Sequence, residues 1–275
     1  MLRRSKMNHR LSVVFVCGAT ALLASCAEFV PTTTSGDSST TQVLVKTCVV
    51  PEDQKGTFSG RWKMSGIPIA LDQNSEFDKA ETEDVIAAAD SWNTFYQGSL
   101  GIEKVLDYGT KESPRTSNVA KPTTLCQSGI VQGGQFTGQV IIYKMGKWPK
   151  IYSSEAIAIT TFCPTPSNPI PQFYHGQMEI NYENFFVEGK RNPDLRSIVL
   201  HEFGHLLGLD HSCDSKGKKG SPDCGNSSLP DVYRAASLYY SFGFDSSTGA
   251  GEQRRTLNEN DQGRGNCLYS DLIPK

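Results

Sequence analysis

Apolar side chains recur along the chain in two rhythms. Residues 78–97 carry Val85, Ala88, Ala89, Trp92 and Phe95 at offsets 0, 3, 4, 7 and 10. That spacing keeps them on one helix face, with Asp78 or Thr82 placed to cap the start. Asn192-Pro193-Asp194 opens a second helix with proline at its first position, and Leu195, Ile198, Val199, Phe203 and Leu206 form its buried stripe. Looser alternation through Trp62, Ile67, Ile69 and Leu71 predicts a first strand over 58–71. Residues 102–108, 139–145, 155–162 and 177–182 read as further strands, the last two separated by a proline-rich loop over 164–171. A short helix over 258–268 closes the series, and no internal repeat is visible. The order of strand, helix, several strands, helix, irregular stretch and final helix describes one α+β domain with one main sheet.

The first residues follow neither rhythm. Arg3, Arg4, Lys6 and Arg10 precede an apolar run over 11–24 that ends in Leu23-Ala24-Ser25-Cys26. A basic start, an apolar stretch and small residues make up a secretory signal over 1–25. The run has 14 residues, whereas a bilayer span needs about 20. Its end resembles a bacterial lipobox, which implies that the Cys26 thiol is acylated and becomes the first mature residue. Two or three acyl chains would hold the protein firmly to a membrane. Residues 32–41 then contain eight Ser or Thr and no apolar side chain, so 26–46 reads as a flexible tether. The folded domain is expected over 47–275, exported and lipid-anchored at a bacterial envelope membrane, the outer membrane or cell surface.

At 37% hydrophobic and 20% charged residues the chain is an ordinary globular one, which excludes wholesale disorder, collagen and a polytopic membrane protein. Its formal charge is -2. Without the four basic leader residues, 23 basic residues face 29 acidic ones, so the mature chain is mildly acidic. Such a chain has no long-range attraction for nucleic acid, and no such partner is expected. Of the eight cysteines, Cys17 lies in the leader and Cys26 at the lipidation site. Cys48, Cys126, Cys163, Cys213, Cys224 and Cys267 remain, an even number that reads as three disulfides in an exported chain. Only Cys213 with Cys224, flanking a Gly/Lys/Ser loop, is suggested by position.

Three of the five histidines fall within eleven residues, His201-Glu202-Phe203-Gly204-His205-Leu206-Leu207-Gly208-Leu209-Asp210-His211. Four residues on a helix bring His205 to within about 40° of His201, so both imidazoles can reach one ion. Gly208 is free to take a positive φ, end the helix and turn the chain back, which returns His211 as a third nitrogen ligand. Three neutral imidazoles suit Zn²⁺ with one position open for water, the layout of a catalytic site. Glu202, beside the first ligand, can take a proton from that water and deliver it to a leaving amine. His201 and His205 alone would also fit a solvated helix face or two satisfied core histidines; Gly208 and His211 at these offsets remove that reading.

The stretch HEFGHLLGLDH resembles the H-E-x-x-H-x-x-G-x-x-H of the metzincin metalloproteases, and Ser212 after the third histidine is similar to the matrixin branch. The Trp62–Leu71 and QVIIYKM strands, the Trp92 helix, GQMEINYEN and the stretch from Leu257-Asn258-Glu259-Asn260-Asp261 to Cys267-Leu268-Tyr269 follow in matrixin order. The resemblance implies a zincin-like five-stranded twisted mixed sheet with three main helices. It implies a monomeric zinc endopeptidase with Glu202 as general base and acid, and a cleft edge at the 155–162 strand on which a peptide pairs. It also implies Cys48 with Cys267; Cys126 with Cys163 is expected beside it, and spacing gives neither pairing. Whether Ca²⁺ steadies surface loops is not legible in the residues.

Three departures from that family stand out. The last methionine is Met178, before the histidines, so the turn expected beneath the zinc is Ala236-Ser237-Leu238-Tyr239-Tyr240, with Tyr239 in the methionine's place. No cysteine-switch propeptide is recognisable before residue 56. The stretch 212–233 is longer than a matrixin needs and is either a cleft-side lid or a decorated surface loop. Tyr239, Tyr240, Phe242 and Phe244 fit either core or pocket wall. The missing methionine motivates a second reading, a binding lipoprotein that keeps the scaffold with little or no catalysis.

Overall fold

The computed structural model describes residues 44–63, 66–122, 131–132, 135–136, 139–165, 170–187, 189–217 and 220–270. The signal, Cys26, nearly all of the expected tether and Cys126 lie outside the described residues. The elements run β1 (Arg61–Trp62), β2 (Ile67–Asp72), α1 (Lys79–Leu100), β3 (Leu106–Asp107), β4 (Thr116–Ser117), β5 (Val131–Gln132), β6 (Gln135–Phe136), β7 (Val140–Met145), β8 (Ala158–Thr165), β9 (Gln172–Asn181), α2 (Leu195–Leu207), α3 (Asp231–Arg234) and α4 (Glu259–Tyr269). The domain is α+β, with three long helices and one main mixed sheet.

That sheet has β2, β7 and β9 parallel, with β8 antiparallel on the outer side of β9. The inner side of β9 is shared by β1 at its start and β7 at its end. Two-residue strands β3 and β4 extend β2, so the described sheet has seven strands where five were expected. One extra strand comes from a split, and the other, Thr116–Ser117, lies where no strand was expected. The 58–71 stretch forms two strands, and the 102–108 stretch narrows to Leu106–Asp107. There the Asn93 side chain accepts from the Leu106 amide at 2.8 Å and donates to its carbonyl at 2.9 Å, satisfying groups that a strand partner would otherwise take. The edge strand starts at Ala158 rather than 155, because Asn181 holds the carbonyls of Ala156 and Ile157 in the preceding turn.

Helix α1 starts with a reciprocal capping box between Asp78 and Glu81 and stops at Gly101, whose φ is 70°. Its apolar face, including Val85, Ala89, Trp92 and Tyr96, covers one side of the sheet and meets α2. Helix α2 is pinned by donors from three elements. Trp92 Nε1 reaches the Leu200 carbonyl at 3.0 Å, Trp62 Nε1 reaches Leu206 at 2.8 Å, and the Tyr269 hydroxyl reaches Leu207 at 2.8 Å. The last two satisfy carbonyls left over at a helix end.

Residues 44–46, expected within the tether, are docked. The Leu44 side chain packs on the core, and Val45 bonds Gln262 and Asn266 of α4. Cys48 is bonded to Cys267 and Cys213 to Cys224, each at 2.04 Å. Cys163 is also disulfide-bonded.

Asp194 caps α2, accepting from the Ser197 amide at 3.0 Å and from Arg255 Nε at 3.0 and 3.1 Å. Burial pushes its carboxyl up, but the bonds from Arg255 and Ser197 outweigh that and hold it below the ordinary value. A lowered folded value means that the charged form stabilises the fold above the unfolded pKa of about 3.9, an effect lost as pH falls through the folded value. Asp194→Ala is expected to cost about 1–2 kcal/mol in urea unfolding at pH 7. The gap to the parent chain should close below about pH 4.

Candidate active site

Helix α2 ends at Gly208, whose φ is 111°. A Cβ there would stand 1.9 Å from the Gly60 carbonyl oxygen, so both conformation and space exclude a side chain. Beyond it the chain reverses. The Asp210 amide donates to Thr57, and the Ser212 amide donates to Leu238 at 2.8 Å. These bonds carry His211 back over the helix, with its ring centroid 5.1 Å from that of His201 and 4.7 Å from that of His205. One ligating nitrogen from each histidine lies within 4.8 Å of the others.

The hydrogen bonds around the first two rings decide what this cluster can hold. His201 Nδ1 lies 2.7 Å from the Ser237 carbonyl, and His205 Nδ1 lies 2.7 Å from the Leu209 carbonyl. A carbonyl only accepts, so each Nδ1 carries the proton and each Nε2 presents a lone pair. Those two Nε2 atoms are 2.9 Å apart. Two facing lone pairs at that distance need a cation between them. Burial, reinforced by neighbouring His205, pushes His201 well below its ordinary pKa and favours its neutral form. Three neutral nitrogens, each of the first two with a backbone partner behind it, fit a divalent zinc ion.

Glu202 follows on the same helix and is 5% exposed. Burial pushes its carboxyl up, while His205 and the Thr160 hydroxyl pull it down. The hydroxyl donates to Oε2 at 2.7 Å. Thr160 belongs to β8, so the acid is oriented from the edge strand across the groove. No local pattern marks Thr160 for this role; only the tertiary fold brings it there.

The turn under the histidines differs from expectation in one respect. Ser237 does receive His201, but the side chain packed beneath the helix is Leu238, which is fully buried. A Cβ at Gly204 would meet Leu238 Cδ2 at 2.8 Å. Tyr239, expected in that seat, packs instead on the small cluster of Cys213, Cys224, Leu229 and Tyr233, and Tyr240 is 44% exposed. Gly204, which has no Cβ, lets Leu238 lie directly against the helix. That cluster also characterises the 212–233 stretch as a surface loop with its own core. It is tied to the amino-terminal segment by Gly56 to Gly220 and by the Tyr233 hydroxyl to Asp53. Phe242 stands edge-on to His201 at 5.6 Å, and the Arg254 guanidinium lies 5.0 Å from the Phe242 ring centre. Phe242 is therefore wall, not core.

The matrixin (peptidase M10) family model matches residues 64–217. The chain belongs to the matrixin family. Membership places it among zinc metalloproteases of the metzincin type, and the match covers α1, the main sheet apart from β1, and the histidine cluster. It stops short of the Ser237–Leu238 turn, where the chain departs from the pattern. Among curated proteins none matches the chain.

Gly208→Ala is expected to destabilise this matrixin by about 3 kcal/mol or more in urea unfolding, because strain and a backbone collision act together. A change under 1 kcal/mol would mean that the reversal is not held as described.

Proposed function

We propose that this matrixin is an exported zinc endopeptidase, lipid-anchored through Cys26, with zinc on His201, His205 and His211. The observation that carries the catalytic part is the pair of Nε2 lone pairs 2.9 Å apart beside a buried carboxylate. Zinc, when bound, supplies a Lewis acid that polarises the scissile carbonyl and acidifies the attacking water. Glu202 takes the proton from that water and returns it to the departing amine. Its raised pKa suits both halves of that transfer, and Thr160 fixes the direction in which its carboxylate faces. Among the described residues β8 pairs with β9 alone, so its outer edge is open to an extended peptide that adds as a strand. The substrate is therefore read as an unfolded or extended segment of protein.

The anchoring part rests on the sequence before residue 44. No helix of the described residues is long and apolar enough to cross a membrane. The absent methionine favours a second reading, a matrixin scaffold that binds and does not cleave. Leu238 weakens it, since the space beneath the helix is filled and the Ser237 carbonyl still meets His201.

Cleavage of an unfolded protein by the purified chain is expected to stop with a zinc chelator. It should fall by about 10²–10⁴-fold in Glu202→Gln, which keeps the metal and loses the base. Full zinc occupancy with no turnover on any protein would select the binding reading, and turnover indifferent to both treatments would reject the site. Cys26→Ser is expected to move the exported protein from the membrane to the soluble fraction; unchanged membrane retention would refute the anchor.

A further inference from the structure

Helix α4 carries a fully buried ion pair whose atoms reach both segments that hold the histidines. Arg264 and Asp261 are each 0% exposed, with Arg264 NH2 3.8 Å from Asp261 Oδ1. Arg264 NH1 donates to the Asp210 carbonyl at 2.8 Å and lies 3.5 Å from the His211 carbonyl, while Nε donates to Asn260 Oδ1 at 3.1 Å. Asn260 in turn donates to Gln54, and Gln54 donates to the Ser212 carbonyl at 2.6 Å. The carbonyls before, of and after His211 are thus gathered by one network. On the other side, Asp261 accepts from the Ser237 amide at 2.8 Å and the Leu238 amide at 3.3 Å. The Ser237 carbonyl is the one that receives His201.

A buried guanidinium is a costly way to fill a helix–loop interface. Taking both charges out of water opposes folding, and an apolar pair of similar size often stabilises as well or better. What an apolar side chain cannot do is hold backbone carbonyls. The carbonyls of Asp210 and His211 lie outside the helices and strands, and Arg264 meets them through NH1. Its NH2 lies 3.8 Å from Asp261 Oδ1 and makes no hydrogen bond among the described residues.

We propose that Arg264 is a positioning residue for the metal site. It fixes His211 through the neighbouring carbonyls and is linked through Asp261 to the turn that orients His201. The proposal rests on the reading of the three histidines as a zinc site. Groups behind metal ligands commonly change metal affinity by about 10–100-fold when lost.

The test is the zinc dissociation constant of the full mature chain, measured by competition with a chromophoric chelator. Near-UV circular dichroism of the zinc-free protein and its melting temperature are recorded alongside. Arg264→Met is expected to weaken zinc binding by about 10-fold or more under conditions where the zinc-free protein is fully folded. Arg264→Lys, which keeps the charge without the fork, is expected to fall between. If Arg264→Met does not fold, the Asp261→Asn/Arg264→Met double variant removes both buried charges and is still expected to bind zinc weakly. Parent-like affinity in a folded Arg264→Met or double variant overturns the proposal and leaves Arg264 a purely structural residue. His205→Ala separates the two levels: a parent chain that binds zinc no better than His205→Ala refutes the zinc reading itself, whatever Arg264 does.

Discussion

The structure turns on two imidazole nitrogens that face each other with their ring partners already engaged by backbone carbonyls. The carbonyls of Ser237 and Leu209 claim the Nδ1 protons of His201 and His205, and the 2.9 Å left between the Nε2 atoms suits only a cation. Either bond alone would leave one ring free to flip its tautomer and turn the contact into an ordinary hydrogen bond. With both in place the pair has a single use. The carbonyls come from different places, one from the chain reversal directly after the helix and one from a turn 36 residues beyond His201. The histidine cluster therefore depends on long-range folding as much as on the helix that carries two of its members.

That dependence explains where the buried polar groups lie. The core of this domain is apolar on the face where α1 and α2 cover the sheet, with Trp62, Trp92, Phe203 and Leu206 almost wholly buried. Behind His211 it is polar: Gln54, Asn260, Asp261 and Arg264 are enclosed and bonded chiefly to backbone groups. Irregular backbone must have its amides and carbonyls answered when it is buried. In this domain such backbone is concentrated at the histidine loop and the turn beneath it. The disulfide from Cys48 to Cys267 closes the same region, tying the first docked residues to the helix that carries the network.

The sequence made the helices and the histidine cluster legible because both depend on short spacings. Capping at Asp78, the apolar stripes of α1 and α2, and the glycine after His205 are local devices and sit where expected, while α2 starts at Leu195 with Asp194 as cap, two residues after the expected first position at Pro193. Strand limits were less legible, since they depend on partners. Residues 102–108 have the composition of a strand, yet only Leu106 and Asp107 pair with β2, and the Asn93 side chain takes the remaining amide and carbonyl of Leu106. The seat below the helix was misassigned by one residue, to Tyr239 in place of Leu238, because register within a turn is set by what fits against Gly204. Thr160, Phe242 and Arg264 could not be found from local pattern at all. Their relation to the site exists only after β8, the 237–256 segment and α4 have packed around α2.

X-ray absorption at the zinc edge of the purified, zinc-loaded chain tests the central claim most directly. The account predicts a first shell made only of nitrogen and oxygen at about 2.0–2.1 Å, with the outer-shell scattering of three imidazoles, and loss of one imidazole in His211→Ala. Zinc scattering dominated by sulfur at about 2.3 Å, or a shell unchanged by His211→Ala, would contradict it.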